Sequence, residues 1–184
     1  TPDTSWYTAN SGAAEFEISN ADQLAGLAQL TNTGGGPDFA GKTITGLKIS
    51  GATSTDNGLF GTIRGGTVKN LMLKDVSITA AVSQVGGIAG TTESGSIENC
   101  YVSGAISAPG GNAIGGVAGR LYGNAVNCIS TANVSGEKNI GGVAGLTKGQ
   151  IQNCYATGAI TASTDSGCRA GGIAGYVNTG GSIR

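Results

Sequence analysis

Apolar and polar residues alternate along short stretches of this chain, and the alternation recurs. Cys100, Val102, Gly104 and Ile106 share one parity and are small or apolar, while Tyr101, Ser103, Ala105 and Ser107 share the other. Cys154, Ala156, Gly158 and Ile160 alternate in the same way with Tyr155, Thr157, Ala159 and Thr161. A period of two predicts strands with one buried and one wet face. The N-terminal part follows a different rule. Ser19-Asn20-Ala21-Asp22 reads as a helix start, Leu24, Leu27, Ala28 and Leu30 follow at helical spacing, and Asn32 and Gly34 end the pattern, which predicts a helix over about 19–31.

The strand pattern is tied to a repeat. Gly58-Leu59-Phe60-Gly61 returns as Gly87-Ile88-Ala89-Gly90, Gly116-Val117-Ala118-Gly119, Gly142-Val143-Ala144-Gly145 and Gly172-Ile173-Ala174-Gly175, in steps of 29, 29, 26 and 30 residues. An Asn stands eight or nine residues after each motif, at 70, 99, 127 and 153, and the fifth copy stops at Ile183-Arg184, where its Asn is due. The residue after the Asn is Leu71, Cys100, Cys128 or Cys154; Ile78, Ile106, Val134 or Ile160 stands seven positions after the Asn, eight in the first copy.

A unit of this length with short strands and glycine-rich corners cannot bury its apolar side alone, so neighbouring units must stack. The solution is an all-β fold, a parallel β-helix in which each repeat is one coil and like residues form columns about 4.8 Å apart. Corner glycines suit turns that need a positive φ or a missing side chain, and Asn columns can bond amide to amide along the stack. Propeller blades are longer than these repeats, and leucine-rich repeats need more leucine. The chain divides into an N-terminal cap over 1–56, with its helix and entry strands carrying Phe39, Ile44, Leu47 and Ile49, and solenoid repeats over 57–184. An uncovered end coil is expected to self-associate unless further repeats or a partner follow.

Composition sharpens this picture. There are 35 glycines in 184 residues, aromatics are 5 % and charged residues 11 %, so small side chains fill a thin interior. Collagen is excluded by the missing Gly-X-Y period. Ten basic and eleven acidic residues leave a net charge of -1, with six acids and two bases over 1–56 (-4) and five acids and eight bases over 57–184 (+3). No Lys or Arg run suggests a nucleic-acid partner, and no apolar run approaches a membrane span or forms a secretory leader. Histidine is absent, which removes the usual base for serine and cysteine nucleophiles and the commonest zinc ligand.

With those residues in view, the chain resembles the GLUG-motif family of bacterial surface proteins. The resemblance rests on the Gly-Gly-Ile/Val-Ala-Gly segments, on Ile-x-Asn-Cys-Tyr-x-x-Gly at 97–104 and 151–158, and on the leading stretch from Phe16 with Phe39-Ala40-Gly41-Lys42-Thr43-Ile44. It implies a right-handed solenoid within a large secreted or wall-attached protein, an adhesin-like role, and neighbouring domains in a longer parent chain. Some relatives accompany metallopeptidases that cleave immunoglobulin A, but this chain has no His-Glu-x-x-His motif, so no peptidase activity carries over. No site residue is transferred from the family.

Several constellations compete with a structural reading. Gly36-Pro37-Asp38-Phe39-Ala40-Gly41-Lys42-Thr43 satisfies the phosphate-loop pattern, yet a strand-like segment follows it where a helix is required. Asp56, Asp75 and Asp165 do not recur at one repeat position, and Glu93, Glu98 and Glu137 occupy three, so neither a calcium column nor a catalytic carboxylate pair is expected. Cys100, Cys128 and Cys154 share a column as buried thiols, and Cys168 lies in a connection as an exposed one. The candidate ligand face is the outward column Tyr101 and Tyr155, with Ile129 between them, beside the hydroxyl columns Ser103, Thr131, Thr157 and Ser107, Ser135, Thr161. The separation of these columns by Ala or Asn argues against ice binding. The expectation is a non-enzymatic extracellular module without cofactor or metal that contacts a host glycan or matrix protein, with a stalk as the alternative and a polysaccharide-active enzyme as a distant one.

Overall fold

The computed structural model describes Ser5, Glu15–Glu17 and residues 42–184. The expected helix over about 19–31 and Phe39 lie outside the described residues. What is described is a parallel β-solenoid of about five coils. Every strand pairing is parallel and joins residues one repeat apart, so the expected fold class is met.

Two sheets run the length of the stack. The first joins Glu15–Glu17, Lys42–Thr45, Leu71–Thr79, Tyr101–Gly115, Ile129–Ser130 and Tyr155–Ala156, with Lys48–Ser50, Asn133–Gly141 and Ile160–Ala162 also pairing within it. The second is built from Phe60–Lys69, Ala89–Glu98, Ala118–Leu121, Ala144–Thr147 and Ala174–Val177, continued by Asn124–Val126, Gln150–Gln152 and Ser182–Ile183. Parallel pairing is already complete at residues 42–50, where Ile44 faces Leu73 and Ile49 faces Ile78.

The alternation of the sequence becomes alternation of burial. Ile78, Ile106 and Val134 form one interior column, joined at its end by the half-buried Ile160, and Leu73 and Val102 begin another. The third column runs through the glycine motif: Leu59, Ile88, Val117 and Val143 are buried, and the backbone N–H groups of Ile88, Val117 and Val143 each donate to the next coil at 2.9 Å.

The corners divide the two roles that glycine was expected to fill. At these two corners positive φ is carried by residues other than glycine: Asn70, Asn99, Asn127 and Asn153 have φ between 52° and 58°, and Asp56, Gln84, Ala113 and Asn139 turn the chain just before the motif. Short polar side chains tolerate this left-handed conformation better than other non-glycine residues. The expected amide ladder is present, with Asn99 Nδ2 donating to Asn70 Oδ1 at 3.2 Å and Asn127 Nδ2 to Asn99 Oδ1 at 3.0 Å. The motif glycines serve steric closeness instead. A Cβ on Gly116 would lie 2.1 Å from Ser130 Oγ and 2.2 Å from the Gly142 carbonyl oxygen of the next coil.

Two local irregularities explain the uneven spacing. Asp75, at φ 53°, is the extra residue of a bulge between Leu73 and Val76, which lengthens the first copy by one. Residues 109–111 interrupt the ladder between Tyr101–Gly115 and Asn133–Gly141, where Gly136 pairs with Ala108 but Lys138 pairs with Asn112.

Two outcomes are expected from this packing. Ile106→Asp places a carboxylate with no partner in the interior, and its thermal unfolding shifts down by about 3–5 kcal/mol of stability. Gly116→Ala is expected to lower the melting temperature, whereas Gly172→Ala, at the equivalent position of the last coil with nothing within 4 Å of its Cβ, leaves it within error. Equal melting for both alanine variants contradicts the coil stacking.

Candidate functional site

The strand after each Asn corner sets the outward face of the first sheet. Tyr101 pairs with Ile129 and Ile129 with Tyr155, so the tyrosine column of the sequence exists in register, and Met72 extends it by one coil. Tyr155 is 53 % exposed and Met72 40 %, while Tyr101 and Ile129 are half-buried. Tyr101 Oη and Thr131 Oγ1 share a hydrogen bond of 2.9 Å, which ties the tyrosine column to the hydroxyl column beside it. Ser103 Oγ accepts the Asp75 backbone N–H at 3.0 Å and so braces the bulge. Thr157 lies one coil beyond Thr131, its N–H donating to Ser130.

The second hydroxyl column is longer than its expected members. Ser107, Ser135 and Thr161 are consecutive Cα partners, and Ser50 and Thr79 continue the same line. Thr79 is hidden in the sequence by the one-residue bulge at Asp75, and Ser50 by lying in the segment read as cap. The interleaving positions are Lys48, Ser77, Ala105 and Asn133, and Asn133 Oδ1 accepts the Ala159 N–H at 2.9 Å.

One end of the hydroxyl column opens into a groove of about 420 Å³. Ser107, Ser135 and Thr161 line it together with Pro109 and Gly110, Glu137, and Ser163 and Asp165. Its origin is a mismatch in coil size. The coil carrying Glu137 belongs to the 26-residue step, and it lies between coils of 29 and 30 whose extra residues stand up on either side. Asp165 accepts a hydrogen bond of 2.7 Å from Ser163 Oγ, and Glu137 Oε1 lies 3.6 Å from Lys138 Nζ. The groove therefore offers hydroxyls and two carboxylates, chemistry suited to a polyhydroxylated ligand.

The other carboxylates are dispersed. Asp56 accepts from the Thr91 and Thr55 hydroxyls, Glu93 pairs with Arg64 at 3.3 Å and Glu98 accepts from Ser96 Oγ at 2.5 Å. No group of three metal-ligating side chains occurs among the described residues. Lys42 and Thr43 of the phosphate-loop pattern begin a strand.

The cysteine column has a role beyond filling space. Each thiol donates to the carbonyl two residues before it, Cys100 to Glu98 at 3.1 Å, Cys128 to Val126 at 3.4 Å and Cys154 to Gln152 at 3.3 Å, and each also reaches a carbonyl of the preceding coil. A thiol is a weak donor, and here it adds a second contact to the Glu98, Val126 and Gln152 carbonyls, which already accept the N–H of Asn70, Asn99 and Asn127. Cys128 is fully buried; its hydrogen bonding with the Cys100 sulfur and its burial push its thiol up to about 12, although the Cys154 contact opposes this. Cys154 is likewise pushed up, first by its bond with Cys128 and then by burial. Cys168, expected to be exposed, is half-buried.

With this geometry in place, a family model described as the GLUG motif matches residues 81–107 and 136–161. The chain carries the GLUG motif over these two stretches. Each matched stretch runs through a glycine motif or the strand leading to it and ends on the hydroxyl column, at Ser107 and Thr161. The intervening coil, with Cys128, Ile129 and Ser135, repeats the geometry of the two GLUG stretches. No curated protein and no solved structure matched the chain.

The raised Cys128 thiol gives a signed prediction. A group held neutral by the fold contributes stability that is fully present below its ordinary value of 9.0 and is lost as pH rises from there toward about 12. The melting temperature is expected to fall over that window, and Cys128→Ala to show a shallower fall from a lower starting point. Identical pH slopes for the two proteins contradict the assignment.

Proposed function

We propose that this GLUG-repeat solenoid is a non-enzymatic, adhesin-like display module of an extracellular bacterial surface protein. It presents the outward face of its first sheet to a host glycan or matrix protein. The observation that carries the reading is the convergence of Ser107, Ser135 and Thr161 with Glu137 and Asp165 in one open groove. Its volume falls within the range of sites that take small ligands, roughly 300–1,000 Å³. The groove continues a flat, in-register surface on which Tyr155 stands exposed, and exposed aromatic rings flanked by hydroxyls suit the apolar faces and hydroxyl edges of sugar rings.

A second reading, a structural stalk that holds other domains away from a surface, is supported by the amide ladder from Asn70 to Asn127 and by parallel pairing that resumes after each bulge between residue 42 and residue 183. The two readings separate under substitution of the face. The chain, clustered on a multivalent carrier, is screened against host glycans, mucin and matrix proteins. The adhesin reading expects a saturable hit that weakens about tenfold when Tyr101 and Tyr155 are both changed to Ala, with the melting temperature little changed. A blank screen, or a hit indifferent to that double change, overturns it in favour of the stalk.

A further inference from the structure

The second sheet carries a separate surface of different chemistry. Its outward positions align Thr62, Thr91, Arg120, Leu146 and Tyr176 in register, while Leu121 and Thr147 of the same strands point inward and are buried. The Arg120 guanidinium lies 5.6 Å from the centre of the Tyr122 ring, and Lys148 Nζ lies 5.0 Å from the same ring. One coil further, the Arg169 guanidinium covers the Tyr176 ring at 4.6 Å, and its Nη1 donates to Asn139 Oδ1 at 3.3 Å. Residues far apart in sequence thus form one basic, aromatic patch across three coils.

Among the described residues no acid pairs with its cations. The ion pairs among the described residues are Arg64–Glu93 and Glu137–Lys138, so Arg120, Lys148 and Arg169 have no carboxylate partner there. Arg120 Nε is buried without an acceptor. The carboxylates one coil away are already engaged: Asp56 accepts from the Thr91 hydroxyl, and Glu93, which follows the Thr92–Leu121 pair and so stands beside Tyr122, is paired with Arg64. Lys148 and Arg169 are exposed.

We propose that this patch docks a linear acidic polysaccharide. The charge complementarity is with a chain carrying sulfate or carboxylate groups at intervals, because the cations are arrayed along the solenoid axis with coils about 4.8 Å apart. Nucleic acid fits less well: three cations neutralise few phosphates, and each of the two tyrosine rings that bases would stack on already carries a cation over it. This surface is on the other sheet from Tyr101 and Tyr155 and is tested independently of them.

The test measures binding of the 184-residue chain to immobilised heparin, polygalacturonate, neutral dextran and double-stranded DNA, with the R120Q/K148Q/R169Q and K148Q/R169Q variants alongside. The expected result is saturable, salt-sensitive binding to heparin or polygalacturonate and none to dextran. Affinity falls roughly tenfold in the triple variant, as the loss of three charge contacts implies. Heparin alone identifies sulfate as the preferred group, polygalacturonate alone identifies carboxylate. Should the triple variant fail to fold, the double variant, which alters only exposed side chains, is expected to weaken binding severalfold. Y101A/Y155A is expected to retain this binding in full. No saturable binding to either polysaccharide, unchanged affinity in the charge variants, or tighter binding to DNA with the same dependence on these residues overturns the proposal.

Discussion

Everything in this molecule depends on one backbone constraint, the parallel hydrogen-bonded register between each coil and the next. Once Ile106 is fixed opposite Ile78 and Val134, every other position along those strands is placed, because a one-residue slip would turn the apolar set outward. The columns are consequences of that register: thiols beneath the corner, amides at the corner, hydroxyls and tyrosines on the face. Close approach is what the glycine motif supplies. Gly87, Gly116 and Gly142 stand where a Cβ would collide with the carbonyl of the adjoining coil.

Much of this was legible in the sequence, since a repeat whose apolar parity is constant admits few architectures. The Asn ladder, the interior isoleucines and the Tyr101–Ile129–Tyr155 column follow from the repeat and the period of two. Glycine at the corners was legible only as a pair of alternatives; the left-handed turn proved to belong to Asn, whose short amide both adopts it and bonds to its neighbour. Thr79 was obscured by the bulge at Asp75 because a single extra residue breaks the count without breaking the ladder. The groove was present in the repeat lengths, as a short coil between two long ones, but its volume depends on how the 109–111 and 162–170 connections stand. The basic patch could not be read at all, since Arg120, Lys148 and Arg169 are separated by 28 and 21 positions and meet only through the stacking.

The fold places its chemistry on two sheets, with hydroxyls, tyrosines and a carboxylate-lined groove on the first and unpaired cations over tyrosine rings on the second. Both surfaces are outward rows of strands whose inward rows are conserved in size from coil to coil by packing alone. Variation in the outward rows is therefore cheap for the fold, which makes such a solenoid a scaffold for recognition along its length.

The measurement closest to the central claim is a set of long-range backbone nuclear Overhauser effects on isotopically labelled protein. Parallel stacking predicts contacts between Tyr101 and Ile129, Ile106 and Val134, and Ala118 and Ala144, all one repeat apart. Absence of these contacts, with antiparallel contacts inside single repeats in their place, would contradict the solenoid and every column derived from it.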